Sequence, residues 1–198
     1  MPRPRTRDYT ELRQALLDAA GRLLAEEGPE ALSTRRVAQE VGTSTTAVYN
    51  LFSDKSGLLQ AMFLAGFARL AEEFATVPRD GDPESDLLAL ACAYRTAARA
   101  NPHLYELMFG RPIANFRPDQ AALAQIQGTF DTLVGAVARC VDTGRFAPAD
   151  PFDIAVHLNA LVHGLMSQEL QGFLGDSDRA DAHWRTALDA TLRGYQIA

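Results

Sequence analysis

From Leu12 to Tyr195 the apolar side chains recur every three or four positions, and no stretch alternates apolar with polar as a half-buried strand would. That period predicts an all-α chain. Leu12, Leu16, Ala19, Leu23 and Leu24 form one apolar face, ended by Gly28-Pro29. In "LSTRRVAQEVG", Ser33 is placed to cap a second helix and Leu32 to staple onto Val37 across the cap. Val37, Ala38 and Val41 should face inward, and Gly42 should stop the helix. A third short helix is expected from about Ser44 to Leu51. A fourth should open at Ser53 or Asp54 and run through Leu58, Leu59, Met62, Phe63 and Phe67 to about Thr76.

"PRDGDP" at positions 78–83 is a turn or linker signal. Beyond it, Leu87, Leu88, Ala91 and Tyr94 mark a fifth helix. "NPHLYELMFG" predicts a sixth, with Asn101 as cap, Pro102 at its first position and Gly110 past its end. "RPIANFRP" should be a loop. Leu123, Ile126, Phe130, Leu133, Val134 and Val137 mark a seventh helix. Asp150-Pro151 opens an eighth, and Trp184, Leu188, Leu192 and Tyr195 lie along a ninth.

A net charge of −6 argues at first against a nucleic-acid partner. The distribution alters that. Residues 1–60 hold Arg3, Arg5, Arg7, Arg13, Arg22, Arg35, Arg36 and Lys55 against an equal number of acidic side chains, so the excess acid belongs to the remainder. A neutral head with a basic tip suits docking on a polyanion. No apolar run approaches the roughly 18 residues of a membrane span, and the charged start has no apolar leader. The expectation is a cytoplasmic protein with no membrane partner. Cys92 and Cys140 match no metal or redox spacing and are expected to be small buried hydrophobes.

The second and third helices, short and joined by about three residues around Gly42, have the spacing of a helix-turn-helix. At ~100° per residue, Thr45, Thr46, Tyr49 and Asn50 share one arc of the third helix. Ala47, Val48, Leu51 and Phe52 share the other. The polar arc suits base edges and phosphate oxygens. It also suits an ordinary solvated face. Lys55 is the only lysine in the chain and falls in the first turn of the fourth helix. A cation there opposes the macrodipole, whereas a bound phosphate would welcome it. A clamp on the DNA backbone and a solvated lysine both fit.

"STRRVAQEVGTSTTAVYNLFSDKSGLLQAMF" resembles the DNA-binding domain of the TetR family of bacterial transcriptional regulators, over roughly Leu12 to Phe63. The Thr-Arg start of the second helix, Tyr49, Phe52 and Lys55 stand at the family's positions. Leu51 departs, standing where members often carry a histidine, so no phosphate contact is carried over to it. The resemblance implies that Thr34 and Arg35 meet backbone or groove, that Thr45 and Thr46, just after Ser44, read bases, and that Tyr49 and Lys55 meet phosphates. Asn50 joins this DNA-binding set. The Arg3-Arg5-Arg7 tail fits either a neighbouring groove or solvent. Residues 1–54 are expected to form the DNA-binding domain and residues 55–198 the ligand-binding and dimerisation domain, joined through the fourth helix.

The family implies a helical body that binds a small-molecule effector and forms a homodimer. In the eighth helix, Ile154, Leu158, Leu161 and Leu165 make one stripe, and Val156, Val162, Met166 and Leu170 extend it. A helix apolar most of the way round is buried on more than one side. A second subunit and a monomer core both supply such a second side. "NPHLYELMFGR" with "LVHGLMSQEL" resembles a subgroup carrying a His-Gly pair in that helix, although the subgroup's preceding tryptophan is absent. Pocket candidates are Phe67, Tyr94, Tyr105, Met108, Phe109, Phe130, His163 and Met166, apolar with a few polar tips. Core packing fits each of them as well.

His103, His157, His163 and His183 form no H-E-x-x-H or E-x-x-H pattern, and no nucleophile elbow or phosphate loop is present. No catalytic residue, metal ligand or cofactor is expected. The function expected is a transcriptional regulator of repressor type, released from a palindromic operator by a small molecule.

Overall fold

The computed structural model describes residues 6–28, 30–110 and 116–197. Among them are nine helices: α1 (Thr6–Glu27), α2 (Thr34–Val41), α3 (Thr45–Phe52), α4 (Lys55–Ala75), α5 (Pro83–Ala100), α6 (Pro102–Phe109), α7 (Gln120–Asp142), α8 (Pro151–Leu170) and α9 (Ser177–Arg193). The only extended pairing among the described residues is an isolated bridge between Phe146 and Gln196. The expected all-α class holds. Pro29, most of the loop after α6 (positions 111–115), Arg3, Arg5 and the side chain of Arg7 lie outside the described residues.

Packing divides the chain into two compact units. One comprises residues 1–67 with 101–124, and the other residues 68–100 with 125–198. In the first, Leu16, Leu17, Ala20 and Leu23 of α1 are buried along with Leu32, Val37, Val48, Phe52, Leu58 and Met62. Helix α6 lies against α1, where Gly21 forms a notch for the ring of His103. It also lies against α4, where Met108 occupies the space a side chain at Gly66 would need.

The second unit is built on Leu87, Val137, Cys140, Phe146, Ile154, Ala155, Leu158 and Leu192. Two ion-pair networks tie its helices. Arg139 of α7 donates to Asp86 of α5 at 2.8 Å and to the Gly81 carbonyl at 3.0 Å. Arg95 of α5 grips Glu169 of α8 through two bonds of 2.7 and 2.8 Å and reaches Asp181 of α9 at 2.7 Å. The Trp184 indole N–H donates to the same Glu169 at 2.6 Å, and Arg95 lies over the Trp184 ring. Neither network was visible in the sequence, because their members lie far apart along the chain.

Several expected faces are rotated. On α5, Leu90, Ala97 and Ala98 are buried with Leu87 and Tyr94, while Leu88 and Ala91 are half-buried. On α8 the buried row is Ile154, Leu158, Val162 and Met166, while Leu161 and Leu165 are half-buried and Val156 is exposed. A row of fourth neighbours is inclined to the helix axis and is the row buried when helices cross at an angle. Trp184 and Leu188 are both buried within the single chain, so neither offers a free seam. Leu123, expected to face a core, is 55% exposed. Asn101 stands at the cap position of α6, but its side chain makes no capping bond. Cys140 is buried as expected, whereas Cys92 is exposed, on the outer side of α5.

Candidate nucleic-acid and effector sites

Local sequence builds the α2–α3 pair. Ser33 Oγ accepts from the Arg36 N–H at 3.2 Å, and Ser44 Oγ accepts from the Ala47 N–H at 3.2 Å, so both helices start on a side-chain cap. Gly42 ends α2 at φ +71°, a conformation glycine adopts without a Cβ penalty. Its N–H reaches the Gln39 carbonyl, and the Thr43 N–H reaches that of Ala38 at 2.9 Å. The chain then enters α3 after Ser44.

Val48 and Phe52 of α3 are buried. Thr46, Tyr49 and Asn50 are exposed, and Thr45 is half-buried. The polar arc expected from the helical period therefore stands in solvent as one surface. Arg35 is exposed at the start of α2, whereas Thr34 beside it is buried. Ser44 is engaged as a cap. Arg36 is paired with Glu27 through bonds of 2.6 and 3.2 Å.

The α3–α4 junction is tighter than the sequence suggested. Ser53 sits at φ +65° and ψ −52°, and the Asp54 N–H donates to the Phe52 carbonyl at 2.8 Å, which makes a γ-turn of the strained kind. Asp54 Oδ1 then accepts from the Gly57 N–H at 2.8 Å and caps α4. Lys55 is the first residue of α4 and half-buried. The Asp54 carboxylate offsets the positive end of the helix, so Lys55 is tolerated there without a bound phosphate. That removes the electrostatic puzzle the lysine posed. What the junction adds is position: the turn fixes Lys55 close behind the last turn of α3.

Two family models match the sequence. One, described as Bacterial regulatory proteins, tetR family, covers residues 16–62, and the other, described as Tetracyclin repressor-like, C-terminal domain, covers residues 87–191. The chain belongs to the TetR family of bacterial regulators. It is 30% identical to the transcriptional repressor AcnR of Corynebacterium diphtheriae over 191 residues, which span 91% of this chain and 92% of AcnR. It is 29% identical to the transcriptional regulator Rv1816 of Mycobacterium tuberculosis, over 86% of this chain and 74% of that one. The TetR-family regulator PfmR from Thermus thermophilus shares the fold, with a TM-score of 0.76 at 23% identity over 92% of this chain and 99% of PfmR. This TetR-family chain is a DNA-binding transcriptional regulator, and α2–α3 is its helix-turn-helix.

The eight effector candidates of this TetR-family regulator fall into two groups. Phe67, Tyr105, Met108 and Phe109 belong to the first unit. There Phe67 packs on Phe63 at 5.0 Å between ring centroids and on Phe109 at 5.5 Å, and Tyr105 packs on Phe109 at 5.3 Å. Tyr94, Phe130, His163 and Met166 belong to the second. Tyr94 and His163 meet edge to face, with the phenol oxygen 2.7 Å from Nδ1. Burial pulls His163 down to about 4, so the imidazole is neutral at neutral pH. Met166 is fully buried, and Phe130 packs on Phe152 at 5.5 Å.

The second unit also has an open cavity of about 260 Å³ among α4, α5 and α7, lined by Phe74, Val77, Leu90 and Ala136 with Asp86 and Arg139 at its wall. None of the eight candidates lines it. Among the described residues no cluster of side chains could hold a metal ion, and no helix is long and apolar enough to cross a membrane.

Proposed function

We propose that the chain is a dimeric repressor whose helix-turn-helix binds a palindromic operator and whose body releases it when a small molecule binds. The observation that carries this is the exposed Thr46–Tyr49–Asn50 surface of a doubly capped α3, with Lys55 fixed one tight turn behind it. Thr45 and Thr46 read base edges, Tyr49, Asn50 and Lys55 meet phosphates, and Arg35 with Thr34 and Ser44 flank them. The similarity to AcnR, a transcriptional repressor, favours repression.

Dimerisation is supported by α8. Opposite its buried row, Phe152 and Val156 are exposed, and Ala160 follows on the same side. That apolar face suits a twin of itself in a closed two-fold pair, and two heads then meet half-sites about 34–36 Å apart. We assign effector contacts to the two aromatic groups, Phe67, Tyr105, Met108 and Phe109 in one and Tyr94, Phe130, His163 and Met166 in the other. Each joins apolar walls to a polar tip, as ligand sites do. Such a repressor works in the cytoplasm, beside the chromosome.

Selection of duplexes from a random pool by the purified chain tests the reading. A palindrome with two half-sites supports it. Enrichment of a single half-site would refute dimeric readout, and enrichment of nothing would refute sequence-specific binding.

A further inference from the structure

We infer that Arg13 is a further phosphate contact of the DNA-binding head, held in place by the ring of Phe52. It rests on the reading of α3 and the start of α4 as facing DNA. Arg13 is on α1, outside the helix-turn-helix, and nothing in the pattern of α2 or α3 marks it. Its guanidinium carbon lies over the Phe52 ring, 5.6 Å from the centroid. Phe52 is the buried last residue of α3, and its carbonyl anchors the turn that leads to Lys55. Arg13 is exposed. The stack therefore ties a solvent-facing cation of α1 to the junction from which Tyr49 and Lys55 extend.

Charge pairing separates Arg13 from its neighbour in the head. Arg36 faces the Glu27 carboxylate and is neutralised by it. Among the described residues no carboxylate pairs with Arg13. A guanidinium held over a ring keeps its N–H donors for another acceptor, and those donors match two oxygens of one phosphate. Because the stack already restricts the side chain, less freedom is lost when it takes that phosphate. A cation so placed beside the DNA-facing junction completes a set drawn from α1, α3 and α4.

The test needs no operator. Full-length parent and variants are titrated with a random-sequence duplex at about 50 to 200 mM salt, where each phosphate contact contributes about 0.9 to the slope of log K against log salt. Arg13→Ala should make that negative slope shallower by about 0.9 while leaving the melting transition in place. Arg13→Lys should keep the slope, since the charge remains, and bind more weakly than the parent. Arg36→Ala should leave the slope at the parental value. A parental slope in Arg13→Ala overturns the inference, including the case in which affinity falls, because that would be a packing effect. Equal slope losses in Arg13→Ala and Arg36→Ala would overturn the special place given to the Phe52 stack. A parent that fails to bind the duplex would overturn the DNA-facing reading beneath it as well.

Discussion

A Cβ on Gly57 would overlap the Phe52 carbonyl oxygen, far closer than van der Waals contact allows. The end of α3 and the first turn of α4 thus meet backbone to backbone, and only glycine permits it. Gly57→Ala should open the junction, displace Lys55 and lower the stability of the head by about 1–3 kcal/mol, as overpacking does. Ser53→Gly should act oppositely. Ser53 occupies φ +65°, and glycine there relieves strain, although it frees the unfolded chain as well. The net gain is on the order of 0.5 kcal/mol. Urea unfolding of both variants checks the signs, and a destabilised Ser53→Gly would show that the turn is not strained.

Arg95 should be the costliest surface-adjacent arginine to remove. Its partner Glu169 is only 12% exposed and also accepts from Trp184. The same two oxygens favour the charged guanidinium and raise Arg95 above its usual value. Arg95→Met leaves a nearly buried carboxylate with only the half-exposed Arg99, 3.6 Å away, as its cation, at a cost of up to about 3 kcal/mol. Adding Glu169→Leu should recover most of that loss, because the weakly compensated charge goes with it. Denaturant melts of the single and double variants measure the recovery. A double variant no better than the single would mean that Arg95 acts by packing on Trp184.

What could be read from the sequence follows from the range of the interactions. The cap at Ser33, the opening of α8 at Asp150-Pro151, the stop at Gly42 and the polar arc of α3 depend on neighbours within four residues, and each was legible; Ser44 was legible as the start of α3 but not as its cap. Asp54 and Gly57 were within the same range, but their roles depend on a γ-turn at Ser53, which no propensity for serine announces. The buried rows of α5 and α8 were legible in part: Leu87, Tyr94, Ile154 and Leu158 are buried as expected, whereas Leu88, Ala91, Leu161 and Leu165 are only half-buried, because the row buried at an angled crossing is inclined to the helix axis. Arg95 with Glu169 and Asp86 with Arg139 join residues more than fifty positions apart, beyond any local pattern. Cys92 shows the limit of composition: cysteine is commonly buried, but this one follows the outward phase of its helix.

That phase has a chemical consequence. Cys92 is exposed, whereas burial pushes the Cys140 thiol up to about 11. The thiolate is the reactive form, so native protein at about pH 8 should take up one equivalent of iodoacetamide, at Cys92. Cys140 should react only after unfolding. Peptide mass mapping distinguishes the two, and rapid labelling of Cys140 would contradict its place in the core.

Stability should depend on acid through His163. An unfolded histidine takes its proton near pH 6.5, but buried His163 stays neutral down to about 4. Between those values the unfolded state binds more protons, so stability falls as pH falls. The contribution is fully present above about pH 6.5 and lost by about pH 4, a change on the order of 3 kcal/mol. His163→Gln keeps a polar partner for Tyr94 and removes the titration. The stability gap between parent and variant should therefore shift against the parent from about pH 7.5 to 4.5, and a constant gap would mean that His163 titrates normally.

The effector and the operator should oppose each other through α4. Lys55 begins that helix, and Phe67 stands twelve residues along it in the same unit, about 18 Å away at helical rise. Phe67 is packed between Phe63 of α4 and Phe109 of α6. A ligand that parts Phe67 from Phe109 must move one helix against the other, and any tilt of α4 carries Lys55 and the γ-turn with it. The coupling should be about 1–3 kcal/mol, and it must be reciprocal, so saturating operator weakens ligand binding by the factor by which ligand weakens operator binding. Phe67→Ala should reduce both factors together while leaving operator affinity without ligand nearly unchanged. Ligand titrations with and without operator, on parent and Phe67→Ala, measure all four affinities. Equal ligand affinity with and without operator in the parent would uncouple the two sites. Intact coupling in the variant would move the route away from Phe67.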